Sequence, residues 1–255
     1  MQPAIVLFWF RRDLRLSDNA ALYRALRHGL PVQPVFIFDR HILDELKDRA
    51  DRRVEFIHQQ ITVIDQQLQQ LGAALDVRYG TPEEIWPQLL TTYNVKAVYT
   101  NHDYEPYARQ RDAAMSTLLT KKGISFYSCK DQAVFEKSEV TKDDGKPYTV
   151  FTPYARRWKA ALTSFYLQSY PTEKYFTALH QSVARPIPSL QSMQFVPAGQ
   201  PFPGGEWHDA VIRRYSEERD YPAVAGHRVL VYTCALARSA SGNWHERQEA
   251  LMKPF

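Results

Sequence analysis

VLFWFRRDLRLSDNAAL, Val6 to Leu22, passes from an unbroken apolar run through a charged corner into helical spacing. Ile5–Phe10 is short, rich in aliphatic and aromatic residues and bounded by charge, which reads as a strand buried on both faces of a parallel sheet. Ser17-Asp18-Asn19 offers N-cap chemistry. Leu22 and Leu26 follow at helical spacing until Gly29 stops the helix, and Pro31 cannot continue it. The same alternation repeats outward. Val32–Phe38 is a second strand, ending at Asp39. Val54, Ile57, Ile61, Ile64, Leu68 and Leu71 form one apolar face on a long helix over Arg52–Leu71, closed by Gly72. Leu75–Tyr79, Ala97–Thr100 and Ser125–Ser128 read as further strands. Thr81-Pro82-Glu83-Glu84 starts a helix, with proline at its first position and acids near the positive dipole end. Glu105–Lys122 is the last helix of the series. Strands and helices at this spacing predict an α/β fold, a doubly wound five-stranded parallel sheet with helices on both faces.

Such sheets take ligands beyond the carboxyl ends of their strands. Here those ends carry Arg11-Arg12-Asp13, Asp39-Arg40-His41, Gly80-Thr81 and Asn101 to Glu105. No GxGxxG follows the first strand, so a dinucleotide pyrophosphate loop is not supported. Arg11, Asp13, Arg15 and Asp18 read as an ion-pair and capping network at the strand–helix corner. His41, His58 and His102 share no metal-ligand spacing. The net charge of +4 in 255 residues is too mild to argue for a polyanion without a localised patch. Cys129 and Cys234 form no CxxC pair, consistent with a reducing compartment. With no signal-peptide pattern and no membrane-length apolar run, the expectation is a soluble cytoplasmic monomer with no membrane partner.

The pattern changes after Phe135. Lys142 to Pro147 is a turn-rich hairpin candidate. Thr152–Ser169 reads as a helix, and Tyr148, Phe151 and Tyr154 as packing aromatics. Residues 170–204 hold Pro171, Pro186, Pro188, Pro197, Pro201 and Pro203, and read as an extended linker draped over a surface. Trp207–Glu218 starts a new amphipathic helix, with a domain boundary near residue 200.

Four stretches, Phe8–Asn19, Asn101–Asp112, Gly145–Trp158 and Gly204–Gly226, resemble the photolyase/cryptochrome family in order and spacing. The resemblance covers about nine-tenths of the chain. It implies a Rossmann-like antenna-binding domain over 1–135 and a helix with a Pro-rich interdomain linker over 136–203. Residues 204–226 then resemble the entry to an all-α FAD domain, of which only a fragment is present. In this family reduced, photoexcited FAD passes an electron to a cyclobutane pyrimidine dimer, so the intact protein is expected to act on damaged DNA. A cryptochrome-type blue-light sensor is the alternative. A free-standing nucleotide-binding α/β module is a third reading, disfavoured by the missing Gly-rich loop. No residue present is assigned to catalysis, and the chain alone is expected to bind no FAD and to repair nothing.

The resemblance also implies an antenna chromophore. Tyr107-Ala108 stands where the folate-binding pattern has an Asn-Glu pair, so a deazaflavin or flavin is expected and folate is disfavoured. A planar ligand in the carboxyl-end crevice would lie near Arg11, Phe38, Asp39, Arg52, Asp103, Glu105 and Arg109. A crevice empty or filled by its own side chains is the competing expectation.

Residues 227–255 break the resemblance. The family continues with Thr-Ser-x-Leu-Ser, Leu-x-x-Gly and Ser-x-Arg, whereas this chain reads HRVLVYTCALARSASGNW from His227. Codons compatible with that text, read in a shifted frame, encode SRLSVHLRFGTVSIRQL, the missing pattern. The tail is therefore expected to be out-of-frame, and disordered or poorly packed, with a natural, short, divergent tail as the alternative. Helix 207–218 would then lack a covering domain and carry an aggregation risk.

Overall fold

The computed structural model describes residues 3–199 together with Phe202, Arg213, Arg214 and Glu217. The expected boundary near residue 200, the helix over 207–218 as a whole and the tail from 227 lie outside the described residues.

Five strands pair in parallel in the order β3-β2-β1-β4-β5. They are β1 (Ala4–Phe10), β2 (Val32–Asp39), β3 (Asp76–Gly80), β4 (Asn94–Asn101) and β5 (Ser125–Cys129). Between them run α1 (Ala20–Leu26), a single turn α2 (Arg40–Leu43) with α3 (Arg52–Gln70), α4 (Pro82–Thr92) and α5 (Pro106–Lys121). The α/β expectation holds element for element, and only α2 was unforeseen. That turn forms because the Asp39 carboxylate accepts from the His41 amide at 3.0 Å and caps it.

β1 shows why its sequence is continuously apolar. Successive side chains point to opposite faces, and both faces are covered. Val6, Phe8 and Phe10 pack with α1 and α3, while Ile5, Leu7 and Trp9 pack with α4 and α5. Trp9 meets Trp86 of α4 edge-to-face at 5.2 Å. α4 begins with a capping box: the Glu84 amide donates to Thr81 Oγ1 at 3.3 Å and the Thr81 amide to the Glu84 carboxylate at 3.0 Å. Gly72 ends α3 at φ +77°, a left-handed conformation that glycine adopts without strain.

Three sequence expectations change. The helix after β5, α6 (Phe151–Ala161), stops well short of Ser169 and gives way to a 3-10 turn at Ser164–Leu167. No α6 residue is buried and Phe151 is 77% exposed, so Phe151 is not a packing aromatic in these residues. Its contacts are peripheral, such as Trp158 on Phe135 at 5.6 Å, and do little to extend a short helix beyond what local propensity sustains. The proline-rich segment is more than a drape. It forms 3-10 turns at Thr172–Ala178 and Gln191–Met193 and buries Thr172, Leu179, Met193 and Phe195. His180 N donates to Val32 O at 2.8 Å and Val196 N to Arg49 O at 2.8 Å, which ties the segment to the sheet and to the loop before α3. Proline cannot supply donors, so the few amides that can are used as anchors.

Candidate functional site: the carboxyl edge of the sheet

The topological switch point lies between β1 and β4, which neighbour each other but are followed by helices on opposite faces. The corner after β1 is bonded shut against the end of β4. Asn101 Nδ2 donates to Asp13 Oδ2 at 2.6 Å and to Asn19 Oδ1 at 2.9 Å, and Asn101 Oδ1 accepts from the Ala21 amide at 3.0 Å. Asn19 is the N-cap of α1, with its side chain accepting from Leu22 N. Arg15 reaches Asp131 at 2.7 Å, and Asp131 accepts from Ala20 N at 3.0 Å. Burial pushes the Asp131 carboxyl above its usual range, against the opposing pull of Arg15. Asp18 sits at φ +46° and accepts from the Tyr170 amide at 2.8 Å. The ion-pair and capping role read for Arg11, Asp13, Arg15 and Asp18 is what the structure contains.

The seven residues expected to line a chromophore fall into distinct groups. Arg11 donates to Asp112 at 2.5 Å and to the Asn101 carbonyl, while its guanidinium lies 5.3 Å from the Trp9 ring. Asp103 and exposed Glu105 are joined by Arg12, at 3.4 and 3.7 Å. Asp39 accepts from Tyr107 Oη at 2.6 Å and lies 3.7 Å from Arg111. Phe38 is buried and stacks on His58 at 6.1 Å, and His58 Nε2 donates to the Pro188 carbonyl at 3.0 Å. Arg52, at the start of α3, lies over the Phe202 ring at 5.1 Å. Arg109 is exposed on the first turn of α5.

Sequence reading missed Trp9 and Arg111 and took Tyr107 only as a departure from the folate pattern; the three form the centre of this edge. Arg111 is buried, over Trp9 at 4.9 Å and over Tyr107 at 5.6 Å, between Asp39 and Asp112. Tyr107 and Arg111 are one helical turn apart on α5, a spacing visible in the sequence but masked by the weak amphipathicity of that helix. Burial, and then Asp39, raise the Tyr107 hydroxyl well above its usual value, so it remains a donor throughout the physiological range. This edge is therefore packed with flat aromatic and guanidinium groups and already neutralised charge pairs, with Trp9, Phe38 and Arg111 all buried. Asp39 is engaged by Tyr107 and is not a free acceptor.

The DNA photolyase family model matches residues 6–174, from β1 through α6 into the proline-rich segment. The chain belongs to the photolyase/cryptochrome family. A deoxyribodipyrimidine photo-lyase of Synechococcus sp. (strain ATCC 27144) is 32% identical over 88% of this chain and 49% of its own. An uncharacterized 31.6 kDa protein of Synechococcus sp. (strain PCC 6716) is 34% identical over 90% of this chain and 84% of its own length. A bacterial class III photolyase from Agrobacterium tumefaciens shares the fold with TM-score 0.72 at 24% identity, covering 98% of this chain and 57% of that one. A cryptochrome from Synechocystis sp. PCC6803 does so with TM-score 0.66 at 21% identity, covering 86% and 50%. The chain thus spans about half the length of the named photolyase it matches in sequence. Among the described residues no helix is long and apolar enough to cross a membrane.

Proposed function

We propose that this chain is the α/β half of a light-driven, FAD-dependent photolyase that splits pyrimidine dimers in DNA. The observation that carries this reading is the family match, which runs unbroken through residues 6–174 on the fold described above. The flavin would supply the photochemical electron, and the role of this chain's residues is to hold and orient an antenna in a dry, fixed geometry. A polypeptide of these 255 residues alone is proposed to bind no FAD and to repair no dimers, because residues 227–255 depart from the family pattern that begins the flavin cradle.

The antenna is proposed to be a deazaflavin or flavin on the carboxyl edge, beside Arg11, Phe38, Asp39, Arg52, Asp103, Glu105 and Arg109. Support comes from Tyr107, whose hydroxyl holds Asp39 at the position where the folate pattern differs. The Arg52 guanidinium would offer a flat face to the ring, while Arg11 and Asp39 would border it as parts of neutral pairs.

The deciding experiment starts from the nucleotides across the Gly226 codon. If a shifted frame encodes the Ser-Arg-Leu-Ser pattern, the restored protein is expressed and assayed for light-dependent dimer repair. Repair is the expected result. FAD binding without repair would favour the light sensor, and absence of the pattern would remove the out-of-frame account of residues 227–255. Reconstitution with a deazaflavin, FMN and a methenyltetrahydrofolate, followed by absorbance, tests the antenna, and preferential folate binding would overturn that part.

A further inference from the structure

A second cleft lies away from the carboxyl-edge crevice, where α1 meets the outer strand β5. Tyr23, Arg24, Arg27, Tyr99, Tyr127 and Ser128 line it, with Cys129 at its buried end, and its volume is about 300 Å3. That is the lower end of the range for small-molecule sites.

Three features set its chemistry. First, Arg24 in the last turn of α1 and Arg27 at its C-cap stand three residues apart, and both line the cleft. Among the described residues neither has a carboxylate at ion-pair distance; Arg24 reaches the Cys129 thiol and Arg27 the Tyr23 hydroxyl at 3.0 Å. Two guanidinium groups held near one another without an acid are suited to a phosphate. Second, Tyr99 and Tyr127 occupy paired positions on β4 and β5 and stack at 4.7 Å with 27° between their planes. Tyr127 is 44% exposed, so a further ring would continue the stack where a sixth strand would otherwise lie. Third, β5 is the edge of the sheet, and its outer backbone groups offer donors and acceptors for a heterocycle's rim. The carboxyl end of α1 contributes partial negative charge here, so an anion needs both arginines.

We propose that this cleft binds a mononucleotide, with its phosphate on Arg24 and Arg27 and its base stacked on Tyr127. The site is separate from the carboxyl edge and does not depend on the flavin reading.

The test is calorimetric titration of the full chain with AMP, with adenosine and inorganic phosphate as the two halves of the ligand. AMP is expected to bind one per chain, about tenfold more tightly than either half. The Arg24→Gln/Arg27→Gln double variant and Tyr127→Ala should each weaken AMP about tenfold or more, since stacking and charge each contribute on that scale. Tyr127→Phe should retain binding, and so should Tyr107→Phe on the carboxyl edge, which separates this site from the antenna crevice. No binding at millimolar AMP, indifference to the arginine and Tyr127 variants, or loss in Tyr107→Phe would each overturn the proposal. Amide chemical-shift mapping on the unmodified chain decides the matter if a variant fails to fold. Shifts clustered at Arg24–Arg27 and Tyr127–Cys129 support the site, and shifts elsewhere overturn it.

Discussion

The corner at residues 11–19 and the strap at residues 170–199 both cross the α/β domain outside its strands and α-helices, yet they are held by opposite means. The corner is a polar lattice. Asp13, Asn19 and Asn101 are almost fully buried and satisfy one another and the first turn of α1. The strap is a row of separate anchors, in which Thr172 Oγ1 donates to Leu16 O at 2.7 Å and Leu179, Met193 and Phe195 fill apolar hollows. A lattice fails as a unit, because each lost partner strands another buried polar group. A row of anchors can come away piece by piece.

The largest effect should come from the element both regions rest on. Phe8→Ala, at a fully buried position in the central strand, should cost about 3–5 kcal/mol in urea unfolding, because the packed sheet cannot collapse into the cavity. Asp13→Ala should follow at about 2–3 kcal/mol, since the Asn19 and Asn101 amides both lose an acceptor in a buried place. A loss below that of an exposed substitution would show that the corner is not a cooperative lattice.

Phe195→Ala sharpens the contrast. Undocking of the strap limits its effect, so the global loss should be no more than about 1 kcal/mol despite the size of the side chain. Hydrogen exchange should quicken at His180 and Val196, whose amides anchor the strap, while Val6 to Phe10 stay protected. Equal loss of protection in β1 would make the strap part of the cooperative core.

The smallest effect concerns Asp51, which caps α3 near the end of the strap. The bond from the Arg53 side chain, foremost, holds the Asp51 carboxyl below its usual range. A carboxyl depressed in the folded state stabilises above its unfolded pKa, and that contribution fades as pH falls through the folded value. Asparagine preserves the cap and removes the charge. The stability gap between the native chain and Asp51→Asn should therefore be present at neutral pH and close in acid, as thermal unfolding across pH would measure. A gap that persists unchanged in acid would contradict this.

What the sequence made legible follows from periodicity. Ile5–Phe10 cannot be placed on a half-solvated surface, and the spacing of Val54 to Leu68 leaves one apolar face to cover, so strands, helices and their alternation were readable locally. The charged corner was readable too, because caps and ion pairs act over a few residues. Trp9, Tyr107 and Arg111 were not readable as one site, because they meet only when β1 and α5 are packed together. The strap was misread for a related reason: prolines announce the absence of a helix or strand but not what the intervening residues touch. The expected chromophore residues were separated by the same long-range pairing, Arg11 to Asp112, Asp39 to Tyr107 and Arg52 to Phe202.

By itself the chain's text determined the elements, the parallel doubly wound class and the family, because each rests on patterns a few residues long repeated in order. Only tertiary structure decided that the switch-point corner is closed by its own side chains, that the proline-rich strap is anchored in the core, and that two arginines and a tyrosine stack share a cleft on the far strand. Those outcomes depend on contacts between residues distant in sequence, and no local period encodes which partners meet.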